Sequence, residues 1–290
     1  MHPLLFEIKD LALIGDLQFH AYATFAALAF LIPTLLCAFH GSRLKDAIYV
    51  PTEGATFTLI GALIGSKVFY ILQYESVSQL YRAVYIREPG LVFYGGVIGG
   101  TLSSILYLYI FKCLDWRIVD LGAPYIALGF SIGRLSCFFN GCCWGTVSNL
   151  PWALSFPAHS HPFKQHVAQK LIASDAAKSL PVHPTQLYLV LGCLALCLFL
   201  LYRYPRLKFR YSNGLMLGFG YGTLRFAVEV FRGDSVRSVL GVLTVSQAIS
   251  LGLMIGCSLG YAIMERRARR IASATPPDPP TGLEEQDAQP

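Results

Sequence analysis

Charge is scarce in this chain. Asp, Glu, Lys and Arg make up 14% of its 290 residues. No compact basic patch with interleaved aromatics occurs, so the net charge of +6 does not describe a nucleic-acid surface. The first eighteen residues carry Glu7, Lys9, Asp10 and Asp16. They lack a basic start, an apolar run and a small-residue cleavage site, so no cleavable signal peptide is expected. No Cys-x2-Cys pair occurs, and there is no internal repeat. What fills the chain instead is apolar sequence: 54% hydrophobic residues and a mean hydropathy of +0.51. A soluble domain cannot bury that much. A polytopic membrane protein needs it, at about 20 apolar residues per span.

Seven apolar stretches are expected to cross a bilayer, over 19–39, 55–74, 91–113, 118–139, 185–203, 213–230 and 243–264. Backbone groups in lipid must be satisfied within the segment, so the spans are expected to be helices and the fold all-α. Residues 1–272 form one membrane domain on this reading. The stretch 146–184 is a long extracytoplasmic loop. The tail 273–290, with Pro276, Pro277, Pro279 and Pro280 followed by Glu284, Glu285 and Asp287, is expected to be disordered and cytoplasmic. Alternate loops hold twelve Lys and Arg against eight in the other set, and three lie inside spans. The cluster Arg266, Arg267, Arg269 and Arg270 is the strongest. The positive-inside rule then places the N-terminus outside and the C-terminus in the cytoplasm.

Orientation converts sequence position into depth. Arg134 lies fourteen residues beyond Asp120, roughly 20 Å up the same helix. Lys67 and Tyr70 fall in the outer half of span two, and Tyr94 near the outer end of span three. Arg225 and Glu229 fall in the outer half of span six. His20 and Tyr22 open span one, and His183, Gln186 and Tyr188 stand at the start of span five. Six spans thus bring polar groups to one side, and Asp120 alone lies low. Each residue also has a plainer role: interface anchoring for the tyrosines, snorkelling for Lys67, mutual neutralisation for Arg225 and Glu229 at i, i+4. That last pairing still leaves Arg134 without a carboxylate. A guanidinium at membrane depth costs several kcal/mol unless it meets a polar interior or an anion. The expected feature is a polar cavity in the outer half of the bilayer, with Arg134 holding a lipid phosphate.

Cys137, Cys142 and Cys143 cluster just past Arg134, while the other five cysteines are scattered. Cys-x4-Cys-Cys lacks the usual short chelating pair, so packing or a local disulfide is favoured over zinc, and no metal or cofactor is expected.

These blocks together resemble prolipoprotein diacylglyceryl transferase, a bacterial membrane enzyme family. The resemblance runs from about His20 to Arg232. Its best segment is Gly133-Arg134-Leu135 through Asn140-Gly141 and Trp144-Gly145. Other matching blocks are His183-Pro184-Thr185-Gln186-Leu187-Tyr188, then Arg225-Phe226 with Glu229 and Phe231-Arg232, then Phe93 with Gly95 and Gly96, then His20 with Tyr22. The family pattern differs at Tyr94 (histidine), Cys137 (asparagine), Cys142-Cys143 (Glu-Leu), Leu189 (glutamate) and Lys67 (arginine).

The resemblance implies transfer of sn-1,2-diacylglyceryl from phosphatidylglycerol to the lipobox cysteine of a prolipoprotein signal peptide, at the bacterial inner membrane. A thioether forms and glycerol phosphate leaves. Arg134 and Arg225 are expected on the phosphate, with Glu229 orienting Arg225 and Tyr94 handling the thiol proton. His20, Tyr22, Lys67, Tyr70, Asn140, His183, Gln186 and Tyr188 are expected to bind substrate. Two other functions fit the same residues: a paralogue lipidating another acceptor, and a non-catalytic phospholipid binder or transporter.

Overall fold

The computed structural model describes residues 4–11, 15–74, 93–112, 116–207, 209–233, 237–239 and 243–274. Among these residues, seven long α-helices and one short one carry the fold. They are α1 (Ala21–Arg43), α2 (Thr52–Tyr74), α3 (Phe93–Ile110), α4 (Trp116–Asn140), α5 (His161–Ala168), α6 (Thr185–Arg203), α7 (Ser212–Glu229) and α8 (Val245–Ala274). Two two-stranded antiparallel hairpins accompany them: β1 (Leu4–Leu11) with β2 (Gly15–His20), and β3 (Arg237–Val239) with β4 (Leu243–Thr244). The expected tail beyond Ala274 lies outside the described residues.

Among the described residues, five helical segments are long and apolar enough to cross a bilayer: Thr24–Arg43, Thr52–Leu72, Arg117–Asn140, Thr185–Arg206 and Val245–Ile271. The chain is an all-α, multi-pass membrane protein. Helices α3 and α7 fall short of that measure. The apolar part of α3 is Ile98–Ile110. Helix α7 is diluted by Asn213, Arg225, Glu229 and several glycines.

Helix α4 is the hub. It packs against α1, α6 and α7, while α2 pairs with α3 and α7 with α8. Small residues make these approaches close, as expected where lipid provides no hydrophobic drive between helices. Gly65 of α2 sits against the Gly95 backbone, and Gly99 against Gly61, so a Cβ at any of them would collide with main chain. Hydroxyls reinforce the seam: Ser103 donates to the Phe57 carbonyl at 2.7 Å, and Thr58 and Ser104 share a 2.7 Å bond. On the other side, Gly129 of α4 approaches the Ala29 carbonyl, the one that Pro33 has no N–H to serve. Ser131 ties α4 to the Val190 carbonyl of α6 at 2.9 Å.

At one end of α4, Asp120 is buried and caps α7. Its carboxylate accepts the Tyr211 and Asn213 N–H groups at 2.7 Å each and that of Gly214 at 3.3 Å. A negative charge belongs at a helix N-terminus, where several N–H groups lack intrahelical partners. Asn213 also donates to the carbonyls of Asp120 and Leu200, and Arg203 to Ser212 at 2.8 Å. The small core of Cys37, Ile48, Leu121 and Tyr125 is built at this end too. Asp120, the polar residue that stood apart in the sequence, is therefore the fastening of α7 to α4.

The 146–184 stretch is folded rather than loose. Leu154 and Val182 exchange both backbone bonds at 3.0 Å, and Ser179 N–H reaches the Phe156 carbonyl at 2.8 Å. Phe156, Phe163 and Val182 are buried within it, and the Phe156 ring meets Phe138 of α4 with centroids 6.4 Å apart. His166 of α5 is buried there, with Nδ1 accepting the Leu180 N–H at 3.3 Å.

Two outcomes follow. Asp120→Ala strands three N–H groups at the start of α7. We expect a loss of about 2–3 kcal/mol, read as a lowered unfolding midpoint in detergent, with Asp120→Asn milder. Burial also holds the His166 pKa below its ordinary 6.5. The unfolded loop then takes up the proton first as pH falls. Loop stability is complete above about pH 6.5 and declines below it. Hydrogen-exchange protection at Leu154 and Val182 should fall between about pH 7 and about pH 5, and His166→Gln should flatten that dependence.

Candidate active site

At the end of α4 opposite Asp120, one face of the helix presents Phe130, Arg134 and Cys137, spaced for a shared stripe. Helix α7 answers with Tyr221, Arg225 and Glu229, each four residues from the last. Phe130 packs on Tyr221 with ring centroids 4.6 Å apart. Arg134 Nη2 reaches the Tyr221 hydroxyl at 3.5 Å, at the outer limit of a hydrogen bond. That is its single hydrogen bond among the described residues, from a group with five donors. No carboxylate among the described residues pairs with it.

Arg225 is better held. Its Nη1 lies 2.6 Å from Glu229 Oε2, and its Nη2 donates to Ser246 of α8 at 2.9 Å. The carboxylate contact is short but off the hydrogen-bonding axis. Arg232 Nη1 approaches the same Glu229 oxygen at 3.6 Å. Arg225 lies within electrostatic reach of Arg134 and Tyr221. Two guanidinium groups thus face one buried carboxylate, with the Arg134 guanidinium within electrostatic reach of Arg225. The surplus is positive, and planar guanidinium forks match the oxygens of a phosphate.

A backbone junction fixes these helices at this end. Past α4 the chain turns through Gly141, at φ +72°, and Cys143, at φ +62°. Gly145 N–H then donates to the His183 carbonyl at 2.9 Å, and Thr146 N–H to that of Phe231 at 2.8 Å. Gly233 N–H returns to the Trp144 carbonyl at 3.1 Å. One strap thus joins the end of α4, the start of α6 and the end of α7. A Cβ on Gly145 would strike His183 and come 2.8 Å from the Phe231 carbonyl. Glycine is required by space here.

The start of α6 clamps the same strap. Thr185 Oγ1 donates to the Cys143 carbonyl at 2.6 Å and Gln186 Nε2 to the Cys142 carbonyl at 2.8 Å. Gln186, expected among the substrate contacts, is buried. His183 Nδ1 and the Tyr188 hydroxyl are 3.0 Å apart, and Trp152 Nε1 donates to that hydroxyl at 2.8 Å. Asn140 is exposed at the end of α4. Tyr22 is half exposed and within electrostatic reach of Arg134 and the cysteine cluster. On α2, Lys67 is buried with its ammonium 5.7 Å from the Tyr70 ring centre. The side chains of His20 and Tyr94 lie outside the description. Cys137, Cys142 and Cys143 are free thiols.

Sequence reasoning missed Tyr221, Ser246 and Trp152. Tyr221 was discoverable, four residues before Arg225 in an apolar helix. Trp152 and Ser246 have no local signal, because each meets its partner only through the fold.

A profile of the prolipoprotein diacylglyceryl transferase family matches residues 9–263. A phosphatidylglycerol–prolipoprotein diacylglyceryl transferase of Bordetella avium is 32% identical over 267 residues, covering 89% of this chain and 94% of that one. The enzyme of that name from Nostoc sp. is 30% identical over 279 residues, 93% of each chain. A second such transferase from Clostridium perfringens is 30% identical over 263 residues, 89% of this chain and 95% of that one.

Gly145→Val should separate the strap from α6 and α7. Overpacking of this kind costs about 1–3 kcal/mol. Thermal unfolding in detergent and faster proteolysis within 146–184 would read it, and Gly145→Ala should fall between the variant and the wild type.

Proposed function

As the chain belongs to the prolipoprotein diacylglyceryl transferase family, we propose that it carries the sn-1,2-diacylglyceryl group of phosphatidylglycerol to the lipobox cysteine thiol of a prolipoprotein. The observation that carries this reading is Arg134: a guanidinium in an apolar helix with one hydrogen bond among the described residues, within electrostatic reach of Arg225. An anionic headgroup is the ligand that removes the cost of leaving such a group unpaired in a bilayer.

The substrate thiolate attacks the glyceryl methylene next to the phosphate ester. The S–C bond forms as the C–O bond breaks, and the electron pair leaves on glycerol phosphate. Charge builds on that oxygen, and fixed cations lower the barrier there. Arg134 and Arg225 hold the phosphate, and Glu229 sets the Arg225 fork. Tyr22, Asn140, His183, Gln186 and Tyr188 line or support the approach of the acceptor, with Lys67 and Tyr70 toward the lipid. Tyr94 stands where the family has histidine, and a phenol with a pKa near 10 is a weak base.

In this reading α1–α4 and α6–α8 are seven spans of one domain over 1–272. The N-terminus faces outward from the bacterial inner membrane and the Arg266–Arg270 end faces the cytoplasm. The site then opens to the outer leaflet, where translocated signal peptides arrive.

Purified protein, labelled phosphatidylglycerol and a lipobox peptide, read by mass spectrometry, test the function. A diacylglyceryl adduct on the peptide thiol is expected. Arg134→Ala should lower kcat/KM by at least 100-fold, about 3 kcal/mol or more. Arg134→Lys should restore little, since an ammonium lacks the bidentate fork. Transfer at the wild-type rate in either variant would remove Arg134 from the phosphate.

A further inference from the structure

The thiols of Cys137, Cys142 and Cys143 have no part in the mechanism above, yet the fold gathers them. Their sulfur atoms all lie within 4.8 Å of one another. Two are adjacent in sequence and the third is on the last turn of α4. The turn through Gly141 and Cys143, both at positive φ, folds the pair back onto the helix end. Cys142 N–H donates to the Cys137 carbonyl at 3.1 Å. Thr185 and Gln186 pin the carbonyls of the cysteine pair from α6. Cys137 follows Arg134 by three residues, so thiol and guanidinium share a helix face. Arg134 is within electrostatic reach of Cys137 and Cys143.

We propose that Cys137, Cys142 and Cys143 bind one zinc ion whose fourth position receives the acceptor thiol. This rests on the transferase reading above. Three protein ligands with an open position are the pattern of a reactive zinc site. Three thiolates beside one guanidinium carry two surplus negative charges, and a divalent ion cancels them. Soft sulfur donors select zinc or monovalent copper over hard cations. Of these two, zinc takes a fourth ligand in a tetrahedral site.

The acceptor of this reaction is itself a thiol, and a coordinating thiol is deprotonated outright. The acceptor R–SH displaces the zinc-bound water, and its proton passes to solvent. The zinc-bound thiolate then attacks the glyceryl carbon as the phosphate ester bond breaks. The thioether product is a poor ligand, so it leaves and water returns. Nothing is oxidised or reduced. The site thereby does what Tyr94 is poorly suited to do, and it does so next to the arginine that holds the leaving group.

The test uses the full-length enzyme in detergent. Elemental analysis should find about one zinc per chain. Cys137→Ser and Cys142→Ser should lower it at least tenfold while thermal unfolding remains cooperative. Replacing zinc with Co(II) in the wild-type protein should give sulfur-to-cobalt charge transfer and tetrahedral ligand-field bands. A lipobox peptide should shift those bands, and its serine analogue should not. Chelated enzyme should lose at least tenfold in turnover near neutral pH. It should recover as pH rises toward the free thiol pKa of about 8.5, where thiolate exists without metal.

Full turnover in zinc-free enzyme would overturn the proposal and leave the transferase reading standing. So would a disulfide from Cys137 to Cys142 or Cys143 in active protein, or Cu(I) held in place of zinc. Zinc bound and cobalt bands shifted by peptide, with no diacylglyceryl adduct formed, would uphold the metal site and defeat the transferase reading instead.

Discussion

A guanidinium kept in apolar surroundings without a carboxylate of its own is the constraint around which this protein is arranged. Arg225 has Glu229 and Ser246, whereas Arg134 has, among the described residues, a single long hydrogen bond to Tyr221. In water that difference would matter little. In a bilayer, where few groups can solvate a cation, it makes the gap between α4 and α7 a place that attracts an anion. On the reading proposed above, the chemistry follows from the same condition, because charge developing on a leaving phosphate would meet cations already in position.

Such an arrangement needs two helices held at a fixed separation, and the fold secures α4 to α7 at both ends. Asp120 clasps the first N–H groups of α7 at one end. The Trp144–Gly145 strap joins the last turn of α7 to the start of α6 at the other. Between them lie about twenty ångströms of helix in which the Phe130–Tyr221 packing and the long Arg134–Tyr221 hydrogen bond join α4 to α7. Glycine at Gly145 permits the close backbone approach this junction requires, as Gly129 does between α4 and α1 and Gly99 between α3 and α2.

Much of this was legible in the sequence, for a physical reason. Apolar runs announce membrane helices, so α1, α2, α4, α6 and α8 could be read directly, and charges within such runs picked out Arg134, Arg225 and Glu229 as candidates. Partnerships across long sequence separations could not be read. The role of Asp120 depends on N–H groups more than ninety residues away, and it looked like an outlier. The 146–184 stretch lacks periodicity because, apart from the short helix α5, its order comes from isolated bridges and a few buried side chains such as Phe156 and Val182. The β1–β2 hairpin was legible but unread: Phe6-Glu7-Ile8-Lys9 and Leu17-Gln18-Phe19-His20 alternate with period two. The proximity of the three cysteines could not be read from sequence. Their spacing is wrong for a chelating pair on regular structure, yet a left-handed turn at Gly141 and Cys143 brings the sulfurs together.

The shared phosphate is tested most directly by a double-mutant cycle. Transfer to a lipobox peptide would be measured for Arg134→Ala, Arg225→Ala and the combined variant, with kcat/KM converted to free energy for each. If both side chains grip one phosphate, the combined loss will differ from the sum of the single losses by about 1 kcal/mol or more. Additive losses would mean that the two arginines act on separate groups, and the account of the site would be wrong.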